Sequence, residues 1–585
     1  MLPLALALAV PVHGPRWQDD LGLLRELGLI PAGTEGVLST VSTQLLGLLP
    51  IGNSGARAGL VGALALAACG GLAFSGWREL LEARRPFVLN APLALIGSQL
   101  WALSPLALAA AAGPGSGAVA LCLLLIGVRL LRAGPALPRT LPLLGVVLGL
   151  CFGESHLAAL ALLGIVIVEA WWEGSRSELP WGYLAAGFAL AAGTCLLVPW
   201  LRTWAPNHAL DLGLGPLPGA AESAWLQPGD GGWNVGFEQV LPELLTQLGD
   251  AASLLALVGF GVAVLQRGLR RAWLPWALLT LAGVLARLGS SDVAAAPAWS
   301  GLAASVGAAA FVPLALQIGL CWLWSRPVPF TRFSSVLVLA FAATLVLQRV
   351  ESFSAQAAPS PSGAELWAEA ALERLPARSV VLVESPTLAL RLLSAQLLAG
   401  ARPDVVTVPL SLLQRGTLLT GLLRRAPELA PVLRQVAVQG WADEAALSRL
   451  ADERPLLVEL DPRWNAHLLE HLRPEGLWLA FEPRGATAIE RRDGVEQSRF
   501  TLERLREQLE DAGALEPATR AALTASLRQR ALLLAALGEN EPAASTLREL
   551  LELDPAEPLA LELMRRLERQ QGRVALNSIL ARPER

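Results

Sequence analysis

The sequence has little charge and no lysine, so arginine alone carries its positive charge. Charged residues make up 16% of the chain and hydrophobic residues 53%, which is too apolar for an ordinary soluble protein of 585 residues. Residues 1–350 hold 17 acidic residues and 18 arginines, whereas residues 351–585 hold 33 and 28. The first part is therefore predicted to lie in a lipid bilayer and the second part in water.

Cysteine is also scarce. The five cysteines all lie in apolar runs, and none follows Cys321, which excludes a disulfide framework and a CxxC zinc site. The sequence has no P-loop, no GxSxG, no GxGxxG after a strand and no basic stripe, so nothing in it supports nucleotide chemistry or nucleic-acid binding. Residues 1–12 lack the positive start of a signal peptide and are predicted to belong to a first membrane span.

Eleven apolar runs are candidates for membrane-spanning helices, although several are shorter than the ~20 residues that a straight span needs. The runs are 1–14, 55–76, 87–110, 115–132, 140–153, 156–172, 181–199, 250–266, 272–289, 299–324 and 333–348. Arginines cluster after the second, fourth, eighth and tenth runs, and the positive-inside rule assigns these ends to the cytoplasm. The result is eleven passes with a non-cytoplasmic tail. The composition suggests a GC-rich bacterial genome, hence the bacterial inner membrane with the tail on the periplasmic or extracellular side.

Two adjacent carboxylates follow the first span. Asp19 and Asp20 begin an amphipathic stretch that is predicted to be a helix along the outer membrane surface. One carboxylate of such a pair can act as a general base, so Asp19 and Asp20 are the candidate catalytic residues. The pair could instead bind a divalent cation, which is the one cofactor that the sequence leaves open. The alternative is that one of them caps this helix.

Four further residues are candidates for substrate binding. Glu154 and His156 interrupt a long apolar stretch on the predicted outer side, where they could bind a cation or relay a proton, or form a solvated turn. Arg202 and Arg287 lie near the outer ends of their spans. A guanidinium there could hold a lipid phosphate with two hydrogen bonds, or extend to the headgroups.

Two histidines in the second half are four residues apart. His467 and His471 would share one face of a helix and could both bind a metal ion. No third ligand is evident in the sequence, so no metal site is predicted.

The second half divides into a linker and two soluble parts. Residues 351–363 include a Ser/Pro/Ala-rich linker, residues 364–495 alternate between helix and strand patterns, and residues 496–585 are helical. Strands are predicted at 379–383, 404–408, 455–460 and 477–481, which indicates a small parallel α/β domain. Gly538, Ala543 and Leu547 have the spacing of a tetratricopeptide repeat, so these helices should pack on that domain or bind a partner. The predicted fold class is therefore mostly α, with a polytopic helix bundle followed by an α/β domain and tetratricopeptide-like helices.

Several segments resemble one family. The segments include Leu48-Leu-Pro-Ile-Gly52, Gly149-Leu-Cys-Phe-Gly-Glu-Ser-His156, Pro199-Trp-Leu-Arg202 and Arg402-Pro-Asp-Val-Val-Thr-Val408. The family comprises bacterial multi-spanning proteins related to the animal transmembrane O-mannosyltransferase, which are similar to the GT-C glycosyltransferases. The sequence departs from the family where a first-loop Asp-Ser-Gly-Glu is expected and Gln18-Asp19-Asp20-Leu21 stands.

The resemblance implies a membrane enzyme that takes a sugar, mannose being one candidate, from a polyprenyl-phosphate donor. It would transfer the sugar to a protein or another acceptor at the non-cytoplasmic face. The departures favour an alternative, a catalytically inactive membrane scaffold that recruits partners through its tail. A transporter is a third interpretation, and only the break at 153–156 suggests it.

Overall fold

The computed structural model describes ten segments of the chain and scattered residues between 336 and 347. The segments are residues 36–47, 54–112, 115–132, 137–172, 181–203, 237–288, 298–325, 363–413, 416–461 and 463–569. They belong to two compact units that meet in sequence near residue 360. The predicted first span lies outside the described residues, as do nearly all of the linker and half of the last span.

The first unit is built from apolar helices. They are α1 (Val37–Gly47), α2 (Ser54–Arg84), α3 (Asn90–Ala102), α4 (Pro105–Ala112), α5 (Ser116–Leu131), α6 (Leu137–Glu154), α7 (His156–Trp172), α8 (Trp181–Thr203), α9 (Phe237–Leu248), α10 (Asp250–Leu265), α11 (Arg270–Leu288), α12 (Ala298–Ala309) and α13 (Phe311–Trp324). These helices follow the predicted apolar runs closely. In apolar surroundings, the backbone N–H and C=O groups find hydrogen-bond partners only within the helix itself.

Two of the helical stretches in the described part of the chain, Gly59–Arg84 and Trp299–Trp324, are long and apolar enough to cross a membrane. The number rises to four if each of two bent pairs is one span. The pair α3 and α4 bends by 68°, and the pair α9 and α10 bends by 104°. The predicted eleven passes are not confirmed, because most of the remaining apolar helices are shorter than a straight span requires.

Glycines bring α6 and α8 into direct backbone contact. A Cβ atom at Gly145 would lie 2.2 Å from the carbonyl oxygen of Leu184, and one at Gly153 would lie 2.5 Å from Cys195 Sγ. Gly149, between them, faces Ala191 equally closely. The spacing is a repeated small-xxx-small pattern, which lets apolar helices approach where water cannot drive their association. Since residue numbers rise together along both contacts, the two helices are parallel.

Three of the four arginine clusters lie near helix ends that contact one another. The Arg132 guanidinium donates to the carbonyl oxygens of Gly76, at 3.3 Å, and Ala272, at 2.9 Å. Arg129 forms an ion pair with Glu79. These contacts bring together the ends of α2 and α5 and the start of α11. At the end of α13, which precedes the fourth cluster, Trp324 packs edge-on against Phe87 at 4.9 Å. We call this side of the unit the arginine-rich end.

The second unit contains a sheet flanked by helices. Its elements are α14 (Gly363–Glu373), β1 (Val380–Val383), α15 (Pro386–Ala399), β2 (Val406–Pro409), α16 (Gly416–Arg425), α17 (Ala430–Gln439), α18 (Glu444–Glu453), β3 (Leu456–Val458), α19 (Ala466–Leu469), β4 (Leu472–Glu475), β5 (Trp478–Phe481), α20 (Ala488–Asp511), α21 (Pro517–Leu537), α22 (Asn540–Leu553) and α23 (Pro558–Arg569). The predicted boundary at 495/496 falls inside α20.

The sheet has the strand order β2-β1-β3-β5-β4. Strands β1, β2 and β3 are parallel, but β5 runs antiparallel to both β3 and β4. The prediction of a parallel domain is therefore wrong for this half of the sheet. The missed strand is β4, whose Leu472-Arg-Pro-Glu475 contains a proline and two charges, as suits an edge strand.

The C-terminal helices of this unit pack on the sheet domain. The Gln529 side chain accepts a hydrogen bond from the Leu460 N–H group at 3.1 Å and donates to Glu459 at 3.3 Å. The Arg530 guanidinium donates to the carbonyl oxygen of Gly476. Gly538, with φ of 81°, ends α21 in the left-handed conformation and allows the turn into α22.

Candidate functional site

The candidate site lies where apolar helices of the first unit are broken, away from the arginine-rich end. Helix α6 has 18 residues, so Glu154 at its end lies about 25 Å along the axis from Leu137 at its start. The Glu154 carboxylate accepts hydrogen bonds from the N–H groups of Leu38, at 3.0 Å, and Ser39, at 3.2 Å. It is buried and caps α1, where a negative charge is favoured.

The residue after Glu154 connects this break to α12. Ser155 Oγ accepts a hydrogen bond from Trp299 Nε1 at 3.1 Å, and both residues are buried. Two residues further along α12, a Cβ atom at Gly301 would lie 2.9 Å from the Arg287 guanidinium. Arg287 therefore lies against the backbone of α12 within one turn of Trp299. We call Glu154, Ser155, Arg287 and Trp299 the helix-break cluster.

Arg287 is buried, with 5% of its surface exposed. The prediction left open whether this guanidinium holds a lipid phosphate or extends to the headgroups, and in the structure it lies against Gly301 of α12. A cation in an apolar helical unit is costly unless it meets a polar group or a ligand. A guanidinium in such a place is suited to bind a phosphate, since its planar donors match phosphate oxygens.

A second helix break adjoins the cluster. The N–H group of Leu106, in the first turn of α4, donates to Gln247 Oε1 at 2.8 Å. Leu106 also lies against Gly301. Gln247 was not identified from the sequence, although the polar residues near the end of α9 in an otherwise apolar region were a usable signal.

His156 begins α7 and packs on Phe152, with 4.3 Å between the ring centroids. His156 is therefore close to Glu154 in sequence, but its ring packs against the aromatic ring of Phe152. Arg202 lies in the last turn of α8. Because α8 runs parallel to α6 and Cys195 meets Gly153, the backbone of residue 202 continues about 10 Å beyond that contact, on the same side of the unit as the cluster. Asp19 and Asp20 lie outside the described residues, so their predicted catalytic role stays a prediction.

The arginine-rich end contains a polar network that the sequence did not reveal. Gln317 Nε2 lies within hydrogen-bond distance of Asn90 Oδ1, at 2.7 Å, and of the carbonyl oxygens of Leu81 and Arg85. Arg84 donates to Gln317 Oε1 at 3.2 Å. These bonds satisfy the carbonyl groups at the end of α2, so the network has a structural explanation.

The second unit has an acidic crevice at the carboxyl ends of β1 and β3. Glu459 accepts a hydrogen bond from the Ser385 N–H group at 2.7 Å, and burial raises the pKa of its carboxyl group. Burial, and then the charge of Asp461, raises the pKa of Glu384. Arg463 bridges Asp461 and Glu384. The strand order reverses at β1, and such a position is where open α/β sheets commonly bind ligands.

The two histidines are joined by a carboxylate. His467 and His471 both lie beside Glu444, at the start of α18, which is a third potential ligand that was not evident in the sequence. The sequence could not indicate this, because Glu444 is distant along the chain.

Comparison with known proteins gives only weak similarities. Neither a protein-family model nor a curated protein matches the sequence. Among solved structures, ArnT from Cupriavidus metallidurans in the apo state is similar with a TM-score of 0.43 and 14% identity, over 71% of this chain and 90% of ArnT. The same protein bound to undecaprenyl phosphate gives a TM-score of 0.41 and 13% identity, over 88% of this chain and 87% of ArnT. Superpositions of this quality assign neither a fold nor an activity to this chain.

Proposed function

We propose that this protein is a membrane glycosyltransferase that takes a sugar from a polyprenyl-phosphate donor. The observation that carries the proposal is the burial of Arg287 beside the Glu154–Ser155 break, in an apolar helical unit and away from its arginine-rich end. The segment that ends in this break, residues 149–156, is also one of those that resemble the GT-C-like family.

In this proposal, each polar residue has a distinct task. Arg287, joined by Arg202, holds the phosphate of the donor. Asp19 or Asp20 accepts the proton of the acceptor hydroxyl. The hydroxyl oxygen attacks C1 of the sugar, the bond from C1 to the phosphate oxygen breaks, and polyprenyl phosphate leaves with the electron pair. A guanidinium stabilises the charge that develops on the leaving phosphate.

Glu154 has a positioning role in this scheme. Its carboxylate already accepts hydrogen bonds from two N–H groups of α1, and therefore ties α1 to the end of α6. His156 is held against Phe152 and would face the sugar. The acceptor is a protein or another hydroxyl compound, and mannose is one candidate for the sugar.

Transfer of a radiolabelled sugar from polyprenyl phosphate by the full-length chain in proteoliposomes tests the proposal. We expect Arg287→Gln to lower the rate by about a hundredfold or more, as loss of a charge-stabilising group does. Arg287→Lys should retain part of the transfer rate. The matched control is Arg78→Gln, since Arg78 is half exposed and pairs with Glu82 one turn away.

The base is tested separately. Undiminished transfer by the double variant Asp19→Ala, Asp20→Ala would remove these residues from the mechanism. Absence of transfer from every polyprenyl-phosphate sugar by the unaltered chain would remove the enzymatic function. The alternative, a scaffold acting through its terminal helices, receives less support, because α21 already packs on the sheet domain through Gln529 and Arg530.

A further inference from the structure

A cluster of three potential metal ligands lies on the second unit. Glu444 is the first residue of α18, His467 lies in α19, and His471 directly precedes β4. One ligand atom from each of the three lies within 4.8 Å of the others. These three residues belong neither to the helix-break cluster nor to the acidic crevice, and the proposed sugar transfer does not use them.

The carboxylate of Glu444 lies between the two imidazole rings. His467 Nδ1 is 2.8 Å from Glu444 Oε2, and His471 Nε2 is 3.4 Å from Glu444 Oε1. The ring centroids are 5.8 Å apart. One carboxylate therefore faces one nitrogen of each ring.

A backbone contact determines which nitrogen of His471 carries a proton. His471 Nδ1 is 2.8 Å from the carbonyl oxygen of Glu482. A carbonyl oxygen only accepts, so Nδ1 must be the donor, and in the neutral ring Nε2 presents a lone pair. That lone pair faces a carboxylate oxygen, which also only accepts. Two facing acceptors need a cation between them, and the choice is a proton or a metal ion.

The same contact is typical of metal-binding histidines. Such a histidine usually donates its second ring N–H group to a carbonyl or carboxylate oxygen, which fixes the ring and its tautomer. The His471 ring is also stacked on Phe481, with 5.3 Å between centroids and 9° between planes. One ligand is thus held rigidly before any ion binds.

The three ligand atoms lie within 4.8 Å of one another, and rotation of the exposed His467 side chain can bring them to the spacing of a tetrahedral site. At metal bonds of 2.0–2.1 Å, two ligand atoms lie about 3.4 Å apart in a tetrahedral site. The distance between His471 and Glu444 already has this value. The 2.8 Å contact of His467 Nδ1 is with the other carboxylate oxygen, Oε2, so the His467 side chain, which is 69% exposed, must rotate to share one ion with Oε1 and His471.

We propose that Glu444, His467 and His471 form a binding site for a divalent transition-metal ion of the Zn²⁺ type. Two imidazoles and one carboxylate are a recurrent zinc ligand set that leaves the fourth position open. Here, the exposure of His467 and Glu444 leaves room for a water molecule or a carboxylate of another protein at that position. The ion would also join α18 to the β4–β5 hairpin.

The test uses the full-length chain in detergent, stripped with EDTA and titrated with Zn²⁺ alone against a chelating dye. We expect one Zn²⁺ per chain and a melting temperature that rises with its concentration. Tetrahedral absorption bands on loading with Co²⁺ would report the coordination. The variants Glu444→Gln, His467→Ala and His471→Asn should each weaken Zn²⁺ binding about tenfold or more.

Two features make the result decisive. Asparagine at 471 can still donate to the Glu482 carbonyl oxygen, so His471→Asn removes the ligand while keeping the structural bond. Glu453→Gln, at the far end of the same helix, is the matched control and should bind Zn²⁺ normally. If the unaltered chain binds no Zn²⁺, or if Glu444→Gln and His471→Asn bind it as the control does, a proton alone occupies the cluster and the proposal is overturned.

Discussion

The two units satisfy their buried polar groups in different ways. In the helical unit, polar side chains bond mainly to backbone groups at helix ends and breaks, as Glu154, Gln247 and Gln317 do. In the second unit, polar side chains also bond to the backbone, but buried ion pairs between side chains are added, as in Arg491–Glu539. An apolar sequence has few polar residues that can pair with one another. Those present therefore bond to backbone N–H and C=O groups that are left without a helical partner at helix breaks. Polar residues in such a unit therefore mark its helix breaks, which is where we place the site.

The close contact between α6 and α8 provides the sharpest test of how the helical unit is held together. In Gly149→Leu, the new side chain would meet the Phe188 carbonyl oxygen and Ala191 Cβ, each 2.7 Å from the Cβ position. We expect the free energy of unfolding to fall by more than about 3 kcal/mol and little folded protein to form. The reason is that the backbone of α8 cannot move aside as a flexible side chain could. Thermal unfolding in detergent, followed by size-exclusion chromatography, measures it.

The control for this test is Gly164→Leu in α7, where a Cβ atom meets nothing within 4 Å. It should be nearly neutral. Equal behaviour of the two variants would show that the glycines of α6 are not what brings these helices together.

The buried ion pair of the second unit should give the next largest effect. Arg491 donates to Glu539 at 2.5 Å and to the carbonyl oxygens of Ala486 and Glu470. Arg491→Ala leaves a buried carboxylate without its cation, which costs about 3–5 kcal/mol in comparable cases. Arg499→Ala, which breaks a pair with exposed Glu503 and a second pair with Glu549, should cost less, about 1 kcal/mol. Urea unfolding of the full chain distinguishes them, and similar midpoints would show that the buried pair stabilises the second unit no more than an exposed one does.

Gln317 tests the network at the arginine-rich end. Gln317→Ala leaves Asn90 and two carbonyl groups of the end of α2 without this donor, so a loss of about 1–3 kcal/mol is expected. Gln266→Ala, at the end of α10, should change the melting temperature little. Because the network is structural, sugar transfer by folded Gln317→Ala should be unchanged. A selective loss of transfer would move the candidate site toward this end.

The sequence predicted much of the helical unit and less of the site. Continuous apolar runs such as 55–76 became helices at nearly the expected positions, since the rule behind them is local. The bend between α3 and α4 was missed although Pro105, the first residue of α4, is a local signal for it, since proline cannot continue a preceding helix. Glu154 was recognised as unusual, but its role in capping α1 depends on a helix more than a hundred residues earlier.

The second unit shows the same limit. The four predicted strands appeared near their expected positions, yet β4 was missed because its Arg-Pro-Glu sequence lacks the apolar pattern of a strand. Pairing partners are non-local, so the antiparallel direction of β5 could not be inferred from its residues. The Glu444 contact with the histidines is non-local in the same way.

The acidic crevice should give the smallest effect, and one with a defined sign. Burial raises the pKa of Glu459, so the folded chain binds this proton more tightly than the unfolded chain. Its contribution is most favourable below the unfolded pKa of about 4.5 and is lost as the pH rises through the folded value. Glu459→Gln should therefore reduce the fall in stability above about pH 4.5. Glu384, whose pKa burial also raises, would keep part of that slope.

Asp404 should show the opposite sign in the same unit. Hydrogen bonds from Arg402 and from the Arg378 N–H group hold its pKa well below the usual range. Its stabilisation is present above the unfolded pKa and is lost as the pH falls through the folded value, so Asp404→Asn should flatten the acid limb alone. Melting temperatures of both variants between about pH 3 and 8 separate these effects. If Glu459→Gln left the pH dependence of stability above about pH 4.5 unchanged, the Glu459 carboxyl group would not bind its proton more tightly in the folded chain. The crevice would then be open to water rather than buried.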